Sequence, residues 1–221
     1  MSRIEALRQR INASTEAVTI PDFGAGDSTQ TLSSDEMHKG RLKSRTVGEI
    51  SRNASKPVFW CRVLFSLIRE FKPERCVELG CCCGVSASYQ SAALTLNGAG
   101  KFVTLEGSPD LVELSRKHFA ELGLKNVSVV PGRFDQTLPG VLRENTPLDY
   151  AFIDGHHDHD ATLAYFEDIY AVSAAETCIV FDDVNWSDGM KKAWHTVKQD
   201  SRVVETADLG TIGIALIRRA R

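Results

Sequence analysis

Two stretches of the chain end apolar runs in acids. "LDYAFIDGHHDHD" sets Asp154, His156, His157, Asp158, His159 and Asp160 behind one run, and "CIVFDDVNW" sets Asp182 and Asp183 behind another. If both runs are strands of one sheet, Asp154, Asp182 and Asp183 converge on one side of it. Carboxylates brought together repel, so unless one is protonated they call for a cation, and hard oxygen ligands select Mg²⁺ or a similar ion. Such an ion orients an oxygen nucleophile and lowers its pKa. The surrounding polar residues have plainer readings. Asp158 or Asp160 suits the N-cap of a following helix, His159 a solvated surface, and His118 and His195 packing or surface positions on helices. Trp186 suits either the wall of an aromatic acceptor site or ordinary packing.

A third stretch, "CVELGCCCGVSASYQ", raises a question about its three adjacent cysteines. Neighbouring cysteines cannot easily set three sulfurs tetrahedrally around one ion, and no second cluster completes a site. The glycines are more informative. Gly80 and Gly84 bracket small residues at the end of an apolar run, which lets backbone approach a ligand and turn sharply into a helix. Glu106, at the end of the next apolar run, is placed to accept hydrogen bonds from ribose hydroxyls. The spacing is not the dinucleotide fingerprint, because Cys82 and Val85 stand where its second and third glycines belong. Glu78 is also badly placed beside phosphate and well placed beside a positive amino-acid end or a sulfonium. Together these residues describe a site for S-adenosylmethionine.

The elements that must position these residues alternate along the chain. Short apolar runs at "RCVELG", "KFVTLE", "VSVV" (127–130), "LDYAFID" (148–154) and "TCIVFDD" (177–183) read as buried strands. Between them lie helical patterns, among them "VSASYQSAALTL", the Ser108-capped "DLVELSRKHFAEL" ended by Gly123, and stretches near 136–144, 160–172 and 188–198. A further helix is expected in "ASKPVFWCRVLFSLIREFKP", closed by Pro73. The last two strand-like runs meet through a turn near Gly210 with no helix between, so they can pair antiparallel. Repeated βα units predict an α/β fold: a Rossmann-like, doubly wound, mainly parallel seven-stranded sheet with an antiparallel last strand and helices on both faces. Residues 1–45, with one short amphipathic stretch (Ile4, Leu7, Ile11) and a turn-rich polar segment, read as an N-terminal arm or lid. Residues 46–221 form the main domain.

Composition excludes several classes. With 221 residues, 43% hydrophobic and 25% charged, the chain suits one globular domain, and a net charge of −3 offers no footprint for nucleic acid. No apolar run approaches the roughly 20 residues that cross a bilayer, and the first residues lack a signal-peptide core, so a cytoplasmic protein without membrane association is expected. In that compartment the six cysteines stay reduced and act as small hydrophobes.

The segments "CVELGCCCGVSA", "FVTLEGSPDLVELSRKHF", "VSVVPGRFDQTLP", "LDYAFIDGHH" and "CIVFDDV" resemble, in order and spacing, the class I S-adenosylmethionine-dependent methyltransferases. The resemblance runs over about residues 54 to 219 and is strongest to the metal-dependent small-molecule O-methyltransferases of catechol and macrolide-sugar type. It implies that Glu78, Gly80, Cys81, Cys82, Gly84 and Ser86 line the methionine end of the cofactor and that Glu106, with Gly107, holds the ribose. Arg133, Phe134 and Asp135 would border the adenine, and Asp154 and His156 complete the cofactor-lining set. Asp154, Asp182 and Asp183 match residues that hold a divalent ion, the last being Asn in the catechol type. His157 matches a catalytic Lys or His, and its ordinary pKa suits a base near neutrality; His157 and Asp154 are the expected catalytic pair. The family often carries Pro-Gly-Gly before its fifth strand, where this chain has "SAAET". The implied reaction moves a methyl group to a hydroxyl oxygen of a small molecule, and pairing into a homodimer is common in such enzymes.

Three other readings compete. One is a metal-independent methyltransferase of the same fold. A metallohydrolase built on the His/Asp cluster would need His-x-His-x-Asp-His, yet reading on from His157 gives His159 and then Ala161 and Thr162. The last is a cofactor-binding module without catalysis, which Asp154, His157, Asp182 and Asp183 argue against.

Overall fold

A computed structural model describes residues 1–22, 26–27, 30–31 and 41–219. Seven strands form the central sheet: β5 (Arg75–Leu79), β6 (Lys101–Glu106), β7 (Val127–Pro131), β8 (Leu148–Ile153), β9 (Ser173–Phe181), β10 (Val203–Asp208) and β11 (Gly213–Arg218). Their order is β10-β11-β9-β8-β5-β6-β7. The five strands β5 to β9 pair in parallel, while β11 lies antiparallel to both its neighbours, β9 and β10. This is the expected doubly wound sheet with a reversed last strand.

The unbroken apolar runs follow from burial on both faces. Along β8, Tyr150 and Phe152 enter one core while Ala151 and Ile153 enter the other; along β9, Cys178 and Val180 alternate in the same way with Ile179 and Phe181. The first face is covered by α3 (Val58–Phe71), α4 (Val85–Asn97) and α5 (Pro109–Leu122), and the second by α6 (Phe134–Glu144), α7 (His159–Ala171) and α8 (Asp188–Gln199). Chain direction reverses its walk across the sheet at β5, which has β6 on one side and β8 on the other. In open α/β sheets that switch point, beyond the carboxyl ends of the strands, is where ligands bind.

Where the family often has Pro-Gly-Gly, this chain runs straight into β9 and makes the break as a bulge near the strand's start. The register jumps from Leu148↔Ser173 to Tyr150↔Cys178, so residues 174–177 bulge out. Thr177 Oγ1 closes the bulge by accepting from the Ala174 N–H (3.1 Å) and donating to the Leu148 carbonyl (2.7 Å).

The amino-terminal segment is more deeply built in than an arm. Helix α1 (Ser2–Asn12) buries Ile4, Leu7 and Ile11 against Cys83, Val85 and Tyr89 of the loop and helix after β5. Strands β1 (Ala17–Asp22) and β4 (Arg41–Thr46) form an antiparallel hairpin from Ala17↔Thr46 to Asp22↔Arg41. The two-residue strands β2 (Gly26–Asp27) and β3 (Gln30–Thr31) pair within it, and the rest of the expected lid, 23–25, 28–29 and 32–40, lies outside the described residues. The boundary at 45/46 therefore falls inside β4. Thr46 then starts α2 (Val47–Ala54) with a capping box, its hydroxyl accepting from Glu49 N–H while the Glu49 carboxylate accepts from Thr46 N–H.

Candidate functional site

The loop after β5 is shaped by two glycines that no other residue could replace without strain. Gly80 has φ +104°, and a Cβ there would stand 2.0 Å from the Asp154 carbonyl oxygen; Gly84 has φ +76° and opens α4. Between them the cysteines are filler. Cys81 and Cys83 are buried and Cys82 is half-buried, all unpaired. Their amides hold the loop in place: Cys81 N–H donates to the Leu105 carbonyl (3.1 Å) and Cys82 N–H to Glu106 Oε2 (2.8 Å). Burial pushes the Cys81 thiol well above the ordinary range, and the contact with the Cys83 sulfur, together with burial, does the same for Cys82, which keeps both protonated.

Glu78 lies beneath this loop with no exposure. Its oxygens accept from Ser86 Oγ (2.7 Å), Gln90 Nε2 (3.0 Å) and Thr104 Oγ1 (2.6 Å). Burial pushes its pKa from 4.5 up to about 7, against the pull of those three donors. Glu106 sits half-buried at the end of β6, where its second oxygen accepts from Ser108 N–H (2.8 Å).

A cavity of about 170 Å³ opens beside Glu106. Its walls bring together Glu106, Gly107, Arg133, Phe134 and His156 from the expected cofactor set, and add Ile20 and Pro21 from the β1–β4 hairpin. Phe134 meets His156 edge-on at 5.4 Å, and His156 stacks on Tyr165, whose hydroxyl its Nδ1 contacts. Asp135 is turned to Arg133, which binds it through two nitrogens at 3.0 Å each. The apolar walls and aromatic edges suit a flat heterocycle, with Glu106 at its polar end.

The second compartment is charged. Beyond β8 the chain turns through Gly155, His156 (φ +60°) and His157 (φ +48°), and beyond β9 Asp183 also has positive φ (+52°). Non-glycine residues rarely adopt this region, and runs of them mark functional loops. Among the described residues, Asp154, His157 and Asp182 each offer a ligand atom within 4.8 Å of the others. Asp183 stands outside that group; His157 Nε2 lies 3.8 Å from Asp154 Oδ1 and 3.9 Å from Asp183 Oδ2. Burial lowers the His157 pKa, partly countered by Asp182 and Asp183, so the ring is neutral near pH 7. Trp186 is 43% exposed, its ring 6.1 Å from that of His157.

Lys56, which no motif marks, completes the cluster. It is 9% exposed, its Nζ contacts Asp182 Oδ2, and it lies 3.6 Å from Asp154 Oδ1. Burial would lower its pKa, but Asp154, Asp182 and Asp183 raise it instead, so the ammonium stays charged. Burial likewise raises Asp154 and Asp182, the latter also through the charge of Asp154, with Lys56 opposing. One demand stays unmet: Asp182 Oδ1 is buried and finds no donor. An orphaned carboxylate oxygen beside a second carboxylate and an imidazole is a donor set that a divalent cation fits.

The remaining candidates hold structural places. Asp158 caps α7, accepting from Asp160 N–H (3.1 Å) and Ala161 N–H (3.0 Å), and His159 pairs with the exposed Asp160. His118 Nδ1 bonds the Cys83 carbonyl in the core, and His195 is exposed. Among the described residues no helix is long and apolar enough to cross a membrane.

Comparison with known proteins agrees with this fold. Residues 77–184 match the methyltransferase-domain family. Catechol O-methyltransferase B of Danio rerio is 33% identical over 101 residues, 44% of this chain; the match spans 37% of that protein's length. The O-methyltransferase of Bacillus cereus, solved in complex with SAH, superimposes with a TM-score of 0.65 at 22% identity, over 76% of this chain and 84% of its own. The SAH-bound methyltransferase PaMTH1 of Podospora anserina aligns over 99% of this chain and 95% of its own, with a TM-score of 0.62 at 20% identity.

Proposed function

Since the chain carries a class I S-adenosylmethionine-dependent methyltransferase domain, we propose that it transfers a methyl group to a hydroxyl oxygen of a small molecule, with His157 as the base and a divalent ion, Mg²⁺ by its ligand chemistry, held by Asp154 and Asp182, with Asp183 turned to His157 instead. One observation carries this reading: the cavity at Glu106, walled by Phe134 and His156, and the Asp154–His157–Asp182 cluster open on the same carboxyl edge of the sheet, joined by the turn from Asp154 to His157.

The cofactor supplies an activated methyl group, and the metal ion, when bound, lowers the pKa of an acceptor hydroxyl. What the chain must do is align that oxygen and take its proton. His157 Nε2, neutral and close to both Asp154 and Asp183, is placed to receive the proton, and the two carboxylates then stabilise the imidazolium. Glu78 and its three donors fix the floor of the loop, and Glu106 offers its carboxylate to ribose hydroxyls. Trp186, exposed next to His157, supplies an aromatic wall toward the acceptor. Pairing of two copies belongs to the same reading by family likeness alone.

The test begins with binding. S-adenosylmethionine or S-adenosylhomocysteine at 100 times its Kd should stabilise the fold by about 2.7 kcal/mol, a rise in Tm of about 5–10 °C for a chain of this size. Absence of any shift would refute the cofactor assignment. A radiolabelled-methyl screen of catechols, phenols and hydroxylated sugars, with and without chelator, then identifies the acceptor and the metal requirement.

A further inference from the structure

Lys56 is built into the acid cluster from outside the motifs. Its backbone is fixed by the amino-terminal layer: buried Arg8 of α1 donates to the Lys56 carbonyl and to Cys61 Sγ (3.3 Å), and the Cys61 thiol also points to that carbonyl (3.4 Å). From there the side chain reaches, across 126 residues of sequence, to Asp182 Oδ2 and to within 3.6 Å of Asp154 Oδ1. These are two of the three side chains that, among the described residues, group closely enough to ligate a cation. A divalent ion between them would meet a unit positive charge at contact distance, in a place too buried for water to screen it.

We propose that Lys56 is a resident counter-ion of the Asp154–Asp182 pair, which a divalent metal must displace in order to bind. The inference rests on the metal site of the proposed function. Lys56 is thereby a positioning residue: it holds the two carboxylates together without metal and makes occupancy of the site conditional on ion concentration. Its contact leaves Asp182 Oδ1 unmatched, so a metal that displaces the ammonium gains a ligand atom that lysine cannot satisfy.

The experiment is Mn²⁺ binding, read by electron paramagnetic resonance of the free ion, on wild type, Lys56→Gln and Lys56→Arg, with S-adenosylhomocysteine binding measured on each. The expected result is at least tenfold tighter Mn²⁺ binding by Lys56→Gln and no gain for Lys56→Arg, which keeps the charge. A smaller gain for Lys56→Gln, or an equal gain for Lys56→Arg, overturns the proposal while leaving the metal site standing. Failure of all three proteins to bind Mn²⁺ at millimolar concentration refutes the metal site and the proposal together; retained binding of S-adenosylhomocysteine would then preserve the cofactor assignment. Because a neutral variant leaves Asp182 buried without its partner, at a cost to folding, a second measurement uses wild type alone. Acylation of Lys56 by an amine-reactive ester, located by mass spectrometry and normalised to the exposed Lys117 and Lys125, should rise at least threefold when Mn²⁺ saturates the protein. Unchanged labelling overturns displacement.

Discussion

The cavity beside Glu106 and the acid cluster beside His157 lie on the same edge of the sheet, on either side of β5, yet are built on opposite terms. Around the first, the carboxylates are matched: Glu106 takes two backbone N–H groups and Glu78 below it takes three side-chain donors, and the buried orphan there is a neutral amide oxygen, Gln90 Oε1. Around the second, two carboxylates share one ammonium and a buried oxygen goes without a donor. A matched site is rigid before its ligand arrives, whereas an unmatched one keeps electrostatic demand in reserve for a ligand. On the proposed reading, the first half suits a cofactor held in one fixed pose and the second an ion that comes and goes.

The comparison is broken most severely at the residue the two halves share. Gly80 turns the loop of the first site against the Asp154 carbonyl of the second. Gly80→Ala adds left-handed strain and a backbone clash, at about 1–3 kcal/mol each, so a loss of about 4 kcal/mol in chemical denaturation is expected. Gly98→Ala is the control: φ is +79° there as well, but nothing lies within 4 Å of the added carbon, and the loss should be only about 1 kcal/mol. Equal losses at the two positions would show that the contact with Asp154 contributes nothing.

His157→Ala separates the two compartments. Methyl transfer should fall about 10²- to 10⁴-fold, while S-adenosylhomocysteine binding by calorimetry stays as in wild type. Since burial lowers the His157 pKa, the acid limb of the wild-type kcat/KM profile should lie below pH 6.5 and disappear in the variant. A profile unchanged by the substitution would remove His157 as the base.

Glu78 sharpens the contrast from the matched side. Its carboxyl is raised from 4.5 to about 7, so between those values the folded state holds a proton that the unfolded chain has released. The sign follows: this group's contribution is full below pH 4.5 and is lost as pH rises toward 7, in all roughly 3 kcal/mol. Glu78→Gln should flatten the fall in stability over that window, measured by denaturant unfolding at a series of pH values. A wild-type slope that persists in the variant would assign it elsewhere.

Much of this arrangement was legible in the residues. Apolar runs that end in Glu78, Glu106, Asp154 and Asp182 are buried strands whose ends face the ligand edge, because a sheet covered on both faces leaves polar chemistry only there. The small-residue filling between Gly80 and Gly84 also reads directly as a close-approach loop. Lys56 did not read out. It precedes Pro57 at the head of a helix, belongs to no spacing pattern, and acquires meaning only when folding brings it to Asp182. The signal that points to it is electrostatic: converging carboxylates ask for a cation, and a lysine supplies one as readily as a metal. Ile20 and Pro21 escaped for a related reason, since a turn-rich polar segment gives no period, although the Thr46–Glu49 capping box marks where that segment rejoins a helix.

The buried thiols after β5 give the molecule a built-in clock. Cys81 can meet a thiol reagent only when the segment between β5 and α4 lifts off the sheet, Cys83 when that segment or α1 over it lifts, and half-buried Cys82 reports smaller excursions of the same backbone. Their alkylation rates therefore measure how often this stretch breathes, and any molecule seated against Gly80 will be recorded as a slowing of that clock.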